Sequence, residues 1–280
     1  MIYISDEEID KLIKDDVPYW DITTELLDIK SFAAIAISNR EKECILCGTE
    51  EAKRIAIKLN LQINFIKPSG SVLKSEETFF EASGDAKDIH KAWRICLNIL
   101  EYMSGIATQT YEMVRKAKGV REDIEIATTR KMIGFNKGLT IKSILTGGAI
   151  PHRLGLSESI LIFDQHKAFF KTHEDLLKAI KNLKQRAKEH KVCVEVSSLD
   201  EALIFIDAVD MIQFDKLGVE LLEKAVKRIK SLKPEMVVLA AGGINMSNVE
   251  QYASTGVDIL VTSSLYQAPM MDFKAEIKPL

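Results

Sequence analysis

The sequence has few cysteines, little net charge and no long apolar run, and each shortage excludes a class of protein. Four cysteines among 280 residues are too few for a disulfide-stapled scaffold. A formal net charge of −3 gives no overall attraction to nucleic acid or to an anionic membrane. No apolar run reaches the roughly 18 residues that a membrane span needs, and the first residues are acidic, unlike a secretory signal. We expect a cytoplasmic protein with free thiols that neither binds nucleic acid nor inserts into a membrane.

Two of the cysteines, Cys44 and Cys47, form a lone C-x-x-C in an apolar stretch. A structural zinc site normally needs a second pair of ligands, and none follows at a suitable spacing. We therefore interpret both thiols as structural, with metal or redox chemistry as the alternative.

The chain divides into two regions with different patterning. Residues 1–104 mix strand-like runs with single helices, which indicates an N-terminal α+β domain. Over residues 105–269, short apolar runs alternate with amphipathic segments, as parallel strands alternate with helices that cover both faces of their sheet. This alternation favours a closed or nearly closed C-terminal α/β barrel, with a doubly wound sheet as the alternative. Residues 270–280 are predicted to return to the first domain as a strand.

Charged side chains follow the apolar runs of the second region. The carboxyl ends of barrel strands meet on one rim, where the active sites of this architecture lie, so we expect these side chains to converge. Arg130 and Lys131 directly follow one run, and the acidic residues Glu195 and Asp215 lie at the ends of two others. His152 and Arg153 end a Gly-rich turn between two of the runs. Arginine binds phosphate and carboxylate groups through paired hydrogen bonds. The rim is predicted to bind a phosphorylated, negatively charged substrate; the alternative is a set of unrelated surface bases.

Glu195 and Asp215 each lie in an otherwise apolar run, where a charge is costly unless it is paired or bound to a metal. Two carboxylates that share Mg²⁺ with the phosphates of a substrate fit this arrangement. Buried salt bridges are the alternative.

Two turns of small residues, Gly242-Gly243 and Ser263-Ser264, end the last two strands. At this place barrels commonly hold a phosphate on backbone N–H groups and on the N-terminus of a following helix. Asn245 is predicted to cap that helix. An ordinary turn is the alternative interpretation of the Gly-Gly pair.

Several motifs resemble the type II phosphoribosyltransferases, typified by quinolinate phosphoribosyltransferase, and they span nearly the whole chain. They are WDITTE at Trp20–Glu25, R-x-x-L-N at Arg94–Asn98, SGIAT at Ser104–Thr108, TRK at Thr129–Lys131, GGAIPHRLGL at Gly147–Leu156, AAGGI at Ala240–Ile244 and TGVDILVTSSL at Thr255–Leu265. The resemblance implies a sandwich domain, an open barrel, and a homodimer or higher oligomer in which one subunit's sandwich covers the partner's barrel mouth.

The resemblance also implies substrates, a cofactor and residue roles. The substrates are phosphoribosyl pyrophosphate and a small aromatic acid, and Mg²⁺ is bound by Glu195 and Asp215. The catalytic residues are Arg130, Lys131, Glu195 and Asp215. The acid and part of the sugar phosphate are bound by Thr129, Arg130, His152 and Arg153, together with Arg94 from the partner subunit. The 5′-phosphate is held by Ala241, Gly242, Gly243, Thr262, Ser263 and Ser264.

The chain departs from the quinolinate pattern at two substrate-binding positions. Phe163 stands where the family has a lysine, and Lys216 stands beside Asp215 where the family has an asparagine. Losing a charge-assisted hydrogen bond costs about 1.5–3 kcal/mol, so Phe163 argues against quinolinate as substrate. Lys216 can restore a cation, and an aromatic acid can stack on Phe163. This variant pattern resembles the ModD branch of the family, which is associated with molybdenum transport.

Three functions stay open at this point. The first is transfer of ribose 5-phosphate from phosphoribosyl pyrophosphate to a small aromatic acid, with release of pyrophosphate. The second is the quinolinate reaction itself, which feeds NAD synthesis. The third is a non-catalytic oxyanion-binding protein linked to molybdate transport, because molybdate is tetrahedral like phosphate.

Overall fold

A computed structural model describes residues 2–41, 43–132 and 137–280 of the chain. They form two compact units, and each unit is assembled from separate stretches of sequence. The first consists of Met1–Tyr111, Ile133–Gly148 and Tyr266–Leu280, and the second consists of Glu112–Met132 and Ala149–Leu265.

The first unit is an α+β domain. Its helices are α1 (Asp6–Asp16), α2 (Ile22–Leu26), α3 (Thr49–Lys58), the larger part of α4 (Ala86–Val120) and α5 (Lys137–Thr146). Its strands are β1 (Phe32–Asn39), β2 (Glu43–Ile45), β3 (Gln62–Ile66), β4 (Val72–Lys74), β5 (Thr78–Asp85) and β13 (Phe273–Pro279). Four of these strands form an antiparallel sheet in the order β13-β1-β5-β3, and β2 pairs with β4. The C-terminal segment thus pairs with β1.

The core of the first unit lies under one face of this sheet. Successive residues of a strand point to opposite faces, so alternate residues of β1, including Ile35 and Ile37, are buried. Cys44 and Cys47 belong to the same buried cluster and are free thiols. Burial raises the pKa of the Cys44 thiol to about 12, and the described part of the chain contains no group of three or more potential metal ligands. These observations support the structural interpretation of the C-x-x-C.

The second unit is an open half-barrel of parallel strands. Its strands are β6 (Glu125–Thr128), β7 (Ile150–Pro151), β8 (Ile160–Ile162), β9 (Val192–Val196), β10 (Met211–Asp215), β11 (Val237–Ala241) and β12 (Ile259–Thr262). Its helices after α4 are α6 (Asp164–Lys167), α7 (His173–Arg186), α8 (Leu199–Phe205), α9 (Val219–Leu232) and α10 (Val249–Ala253).

The strand order of this sheet is β7-β6-β12-β11-β10-β9-β8, and all neighbours are parallel. From β8 to β12 the order runs in one direction, and β6 then follows β12, as the first and last strands do around a barrel. The sheet stays open between β7 and β8. The predicted open α/β barrel is therefore confirmed, and the doubly wound alternative is excluded.

Small and aliphatic side chains fill the inside of the half-barrel. The buried members of this cluster are Ala127, Leu161, Cys193, Leu239, Ala241 and Val261. They come from alternate positions of the strands, which places the polar residues at the strand ends above an apolar interior. Within the described ranges, no helix is both long and apolar enough to cross a membrane.

Candidate active site

A cavity of about 470 Å³ opens at the carboxyl ends of the half-barrel strands, and we call it the strand-end cavity. Residues predicted from the sequence that line it are Thr129, Arg130, Lys131, His152, Arg153, Phe163, Glu195, Asp215, Ala241 and Gly242. Residues that the sequence analysis did not single out also line it, namely Leu161, Gln165, Gln213 and Val261. The fold thus gathers cations and carboxylates that are distant in sequence around one space.

The segments after β6 and β7 form the basic side of the cavity. The backbone N–H of His152 donates to the carbonyl of Thr128 at 3.0 Å, which joins the end of β7 to the end of β6. Burial, together with the nearby charge of Arg130, lowers the pKa of Arg153. Burial, together with the charge of Arg153, lowers the pKa of His152. Both pKa shifts arise first from burial, and the neighbouring positive charge, which an anionic ligand would offset, adds to them.

Glu195 of β9 and Asp215 of β10 form the acidic side. Glu195 is in register with Gln213, whose amide Nε2 donates to Glu195 Oε2 at 2.7 Å. Burial raises the pKa of Glu195, and the negative charge of Asp215 adds to this effect while the Gln213 hydrogen bond opposes it. A cation between the carboxylates would relieve this repulsion.

The acidic pair fits the predicted Mg²⁺. Its donor atoms are carboxylate oxygens, which Mg²⁺ prefers, and one or two protein carboxylates suffice where substrate phosphates complete the coordination. Among the residues that the structure describes, no group of three or more His, Cys, Asp or Glu side chains could hold a metal ion.

Phe163 forms an aromatic wall where the family pattern has a lysine. The guanidinium carbon of Arg153 lies 5.4 Å from the centroid of the Phe163 ring, within cation–π range. On α6, the ring of His166 stacks on Phe163 with centroids 5.9 Å apart, and His166 Nδ1 accepts a hydrogen bond from the Phe163 backbone N–H at 3.0 Å. The position of the Phe163 ring is therefore fixed by two neighbours, Arg153 and His166.

The turn after β11 approaches the end of β10 closely. Gly242 has a φ of 87°, and a Cβ there would lie 2.5 Å from Lys216 Cγ and 2.7 Å from Asp215 Oδ1. Gly243 has a φ of 77°, but no described atom lies within 4 Å of its ideal Cβ. Glycine at 242 thus meets both a conformational and a steric requirement, whereas 243 requires glycine for its backbone alone.

The other predicted phosphate-binding residues lie beside the cavity. In the described chain its lining does not include Gly243, Thr262, Ser263 or Ser264. Thr262 is buried, and its hydroxyl donates to the Ile244 carbonyl at 2.6 Å, which ties the last two loops together.

The prediction that Asn245 caps the next helix is wrong. Its side chain accepts a hydrogen bond from the Ser247 backbone N–H at 2.9 Å, which forms a local turn. Helix α10 therefore begins only at Val249, with Asn248 as its N-cap residue.

Two predicted substrate-binding residues are absent from the lining of the strand-end cavity among the described residues. The Lys216 side chain is 79% exposed, and its Nζ lies 3.9 Å from Asp215 Oδ2. Lys216 therefore lies at the edge of the cavity, in contact with solvent. Arg94 belongs to the first unit, where its guanidinium carbon lies 4.2 Å from the Trp93 ring centroid. Its action in a partner's site stays a prediction.

Known proteins are similar to this chain over its whole length. The family model described as quinolinate phosphoribosyl transferase, C-terminal domain, matches residues 106–276, and the model of the N-terminal domain matches residues 21–104. A protein of Pasteurella multocida named as pyrophosphorylase ModD is 31% identical over 280 residues, with 99% of both chains covered. A protein of Methanothermobacter thermautotrophicus named as nicotinate-nucleotide pyrophosphorylase (carboxylating) is 32% identical over 279 residues, covering 97% of this chain and 98% of that one.

Solved structures match the whole fold. The nicotinate-nucleotide pyrophosphorylase of Ehrlichia chaffeensis superposes with a TM-score of 0.87 at 25% identity, covering 99% of this chain and 100% of that one. The enzyme of the same name from Francisella tularensis gives 0.89 at 24% identity, covering 99% and 98%. Both domains are matched, and relatives of similar length align along the whole sequence. The chain belongs to the quinolinate phosphoribosyltransferase family of type II phosphoribosyltransferases.

Proposed function

We propose that this protein transfers ribose 5-phosphate from phosphoribosyl pyrophosphate to a small aromatic acid and releases pyrophosphate, with Mg²⁺ as cofactor. The observation that carries the proposal is the convergence of Arg130, Arg153, Glu195 and Asp215 on one cavity. Phosphoribosyl pyrophosphate needs cations for its phosphates and carboxylates for its metal and hydroxyls, and this cavity offers both.

In this reaction a ring nitrogen of the acid forms a bond to the anomeric carbon while the bond from that carbon to the pyrophosphate oxygen breaks. Positive charge develops on the sugar, so the protein acts by positioning the reactants and stabilising charge. Arg130 and Arg153 orient the acid, and Lys131 neutralises the phosphates of the donor. Glu195 and Asp215 would hold Mg²⁺, which would supply Lewis-acid stabilisation of the charge on the leaving group.

Calorimetric titration with phosphoribosyl pyrophosphate tests the proposal. We expect binding that requires Mg²⁺ and is lost in Asp215→Asn. No heat of binding at millimolar phosphoribosyl pyrophosphate and Mg²⁺ would reject the proposal. Binding of molybdate that is indifferent to Asp215→Asn would favour an oxyanion-binding protein instead.

Quinolinate is the second candidate for the acceptor, because a relative named as a carboxylating nicotinate-nucleotide pyrophosphorylase is 32% identical. Phe163 argues against quinolinate, because the phenyl ring cannot donate a hydrogen bond to a second carboxylate. Steady-state turnover decides between quinolinate and another aromatic acid as the acceptor. We expect kcat/KM for quinolinate far below the ~10⁴ M⁻¹s⁻¹ at the low end of typical enzymes, and a value at or above that level would reassign the substrate.

Substitution at the glycine turn offers a matched pair of variants. Gly242→Ala is expected to weaken Mg²⁺-dependent binding of phosphoribosyl pyrophosphate by about 10-fold or more, because its Cβ displaces Asp215 and Lys216. Gly243→Ala carries a similar backbone strain with no steric clash among the described residues, and is expected to have a much smaller effect. Calorimetry of both variants makes the comparison, and equal losses would show that only backbone strain matters.

A homodimer with Arg94 acting in the partner's site is also part of the proposal. The first unit exposes Tyr19 (87%), Trp20 (66%) and Leu26 (80%), an apolar surface of the kind that a partner covers. Arg94→Ala and Arg153→Ala are each expected to be nearly inactive. Mixing the two after mild unfolding and reassembly is expected to restore a measurable fraction of activity, because one site of each mixed dimer has both arginines. Mixtures that stay as inactive as the parents would place Arg94 outside the site.

A further inference from the structure

Gln213 lines the strand-end cavity and carries a buried hydrogen-bond acceptor that has no partner among the described residues. The residue is 4% exposed and lines the cavity in the middle of β10. Its Oε1 is buried and has no hydrogen-bond partner anywhere in residues 2–41, 43–132 or 137–280. Burying a carbonyl oxygen without a partner is costly, so such an atom in a ligand cavity indicates a group that the ligand supplies.

The orientation of the Gln213 amide is set by its neighbour. Its Nε2 donates to Glu195 Oε2 at 2.7 Å, and because an ionised carboxylate can only accept, the amide nitrogen faces Glu195 when that carboxylate is ionised. The oxygen is thereby turned away from Glu195. A strand position in register with Glu195 and two residues before Asp215 points to the same side of the sheet as Asp215.

The residues around Gln213 include several possible hydrogen-bond donors, but none of them pairs with its Oε1. Arg130, Lys131 and Arg153 line the same cavity and carry many N–H donors, yet none of them reaches Gln213 Oε1 in the described structure. Leu161 and Val261, which also line the cavity, have no side-chain donor to offer. No described side chain of the cavity lining therefore supplies the missing donor.

We propose that Gln213 recognises an N–H or O–H group on the aromatic acid, such as an amino, hydroxyl or ring N–H substituent. The inference rests on the proposed function and narrows its substrate class to aromatic acids that carry such a donor. Quinolinate does not belong to this class, because its two ionised carboxylates and its ring nitrogen only accept. Gln213 and Phe163 then exclude quinolinate by two independent features of one cavity.

The experiment compares pairs of pyridine monocarboxylates that differ by one amino or hydroxyl substituent. Calorimetry measures their binding to the protein saturated with Mg²⁺ and phosphoribosyl pyrophosphate, or with a non-reactive analogue of the latter. We expect at least one substituted acid to bind the wild type about 10-fold or more tightly than its parent. Gln213→Met, which keeps the length but loses the acceptor, should bring this ratio close to one.

Gln185→Met is the matched control, because Gln185 is exposed on α7 and is not part of the described cavity lining. It should preserve the ratio. The inference is overturned if no substituted acid outperforms its parent, if the ratio survives Gln213→Met, or if Gln185→Met abolishes it equally. The first of these tests uses the wild type alone, so it stands even where Gln213→Met fails to fold.

Failure of this inference is distinguishable from failure of the proposed function. A wild type that does not bind phosphoribosyl pyrophosphate with Mg²⁺ rejects the phosphoribosyltransferase itself. A wild type that binds it but treats substituted and parent acids alike rejects only the role of Gln213. Equal weakening of phosphoribosyl pyrophosphate and of both acids in Gln213→Met would assign the Gln213 oxygen to a ribose hydroxyl and overturn the inference.

Discussion

Glu195→Gln is expected to lower kcat/KM by about 10³-fold and to remove the Mg²⁺ dependence of phosphoribosyl pyrophosphate binding. The substitution keeps the size of the side chain but removes one of the two carboxylates, and metal stabilisation of a leaving phosphate amounts to several kcal/mol. Steady-state kinetics and calorimetry with and without Mg²⁺ measure both effects. Glu223→Gln, on the exposed face of α9, is the matched control and should change neither.

The same variant is expected to melt at a higher temperature than the wild type at neutral pH without Mg²⁺. Burial raises the pKa of Glu195, so the folded state favours the protonated carboxyl and loses stability as pH rises through that pKa. Glutamine avoids this loss, so the gain should shrink as pH falls below the pKa of Glu195. A variant with lower Tm and no activity would instead indicate a misfolded protein.

Metal-dependent binding by the wild type should also weaken with acid at a higher pH than an ordinary glutamate allows. Protons compete with Mg²⁺ for the Glu195 carboxylate, and its pKa is raised above 4.5. Calorimetry of phosphoribosyl pyrophosphate binding over a pH series measures the midpoint. A midpoint at or below the ordinary glutamate value would contradict the proposed role of Glu195.

Arg153→Met is the second substitution with a large expected effect, a fall in kcat/KM of about 10³-fold. A guanidinium that grips an anion through two charge-assisted hydrogen bonds contributes about 1.5–3 kcal/mol for each of them. Arg153→Lys keeps the charge but not the planar fork, so its loss should be smaller, about 10-fold. Arg228→Met on the exposed face of α9 is the control. Activity that survives Arg153→Met would place the substrate elsewhere.

The loss in Arg153→Met should appear mainly in the affinity for the acid. Arg153 lies against the Phe163 ring on the side of the cavity opposite in charge to Glu195 and Asp215. If Arg153→Met lowers the affinity for phosphoribosyl pyrophosphate but not the affinity for the acid, then Arg153 binds phosphoribosyl pyrophosphate and the acid binds elsewhere in the cavity.

The half-barrel was predictable from the sequence because its strands are continuous apolar runs. Both faces of a parallel sheet are covered, so runs such as those of β9 and β11 stand out against the amphipathic helices between them. The same regularity placed Arg130, Lys131, Glu195 and Asp215, which lie in or directly after such runs, whereas His152 and Arg153 were recognised only as the end of a Gly-rich turn. Strand β7 was not predicted, because Ile150–Pro151 is too short to form a recognisable apolar run and lies shortly after two glycines.

Gln213 could not be identified as a site residue by the same reasoning. A single amide within the run MIQFD could equally make all its hydrogen bonds inside the core. Only the structure shows that the amide oxygen of Gln213 has no partner among the described residues. The spacing carried a partial signal, because residues two apart in a strand share a face and Asp215 was already assigned to the site. The assignment of Asn245 failed for a related reason. Its side chain could either cap the next helix or accept a hydrogen bond within a local turn, and the sequence does not distinguish these two roles.

A crystal structure of the wild type with phosphoribosyl pyrophosphate and Mg²⁺ tests the central claim most directly. We expect the sugar phosphate to lie inside the strand-end cavity, with its 5′-phosphate at the Gly242 turn. We expect the metal to be bound between the donor and the carboxylates of Glu195 and Asp215. A sugar phosphate bound elsewhere, with Arg130 and Arg153 untouched, would contradict it.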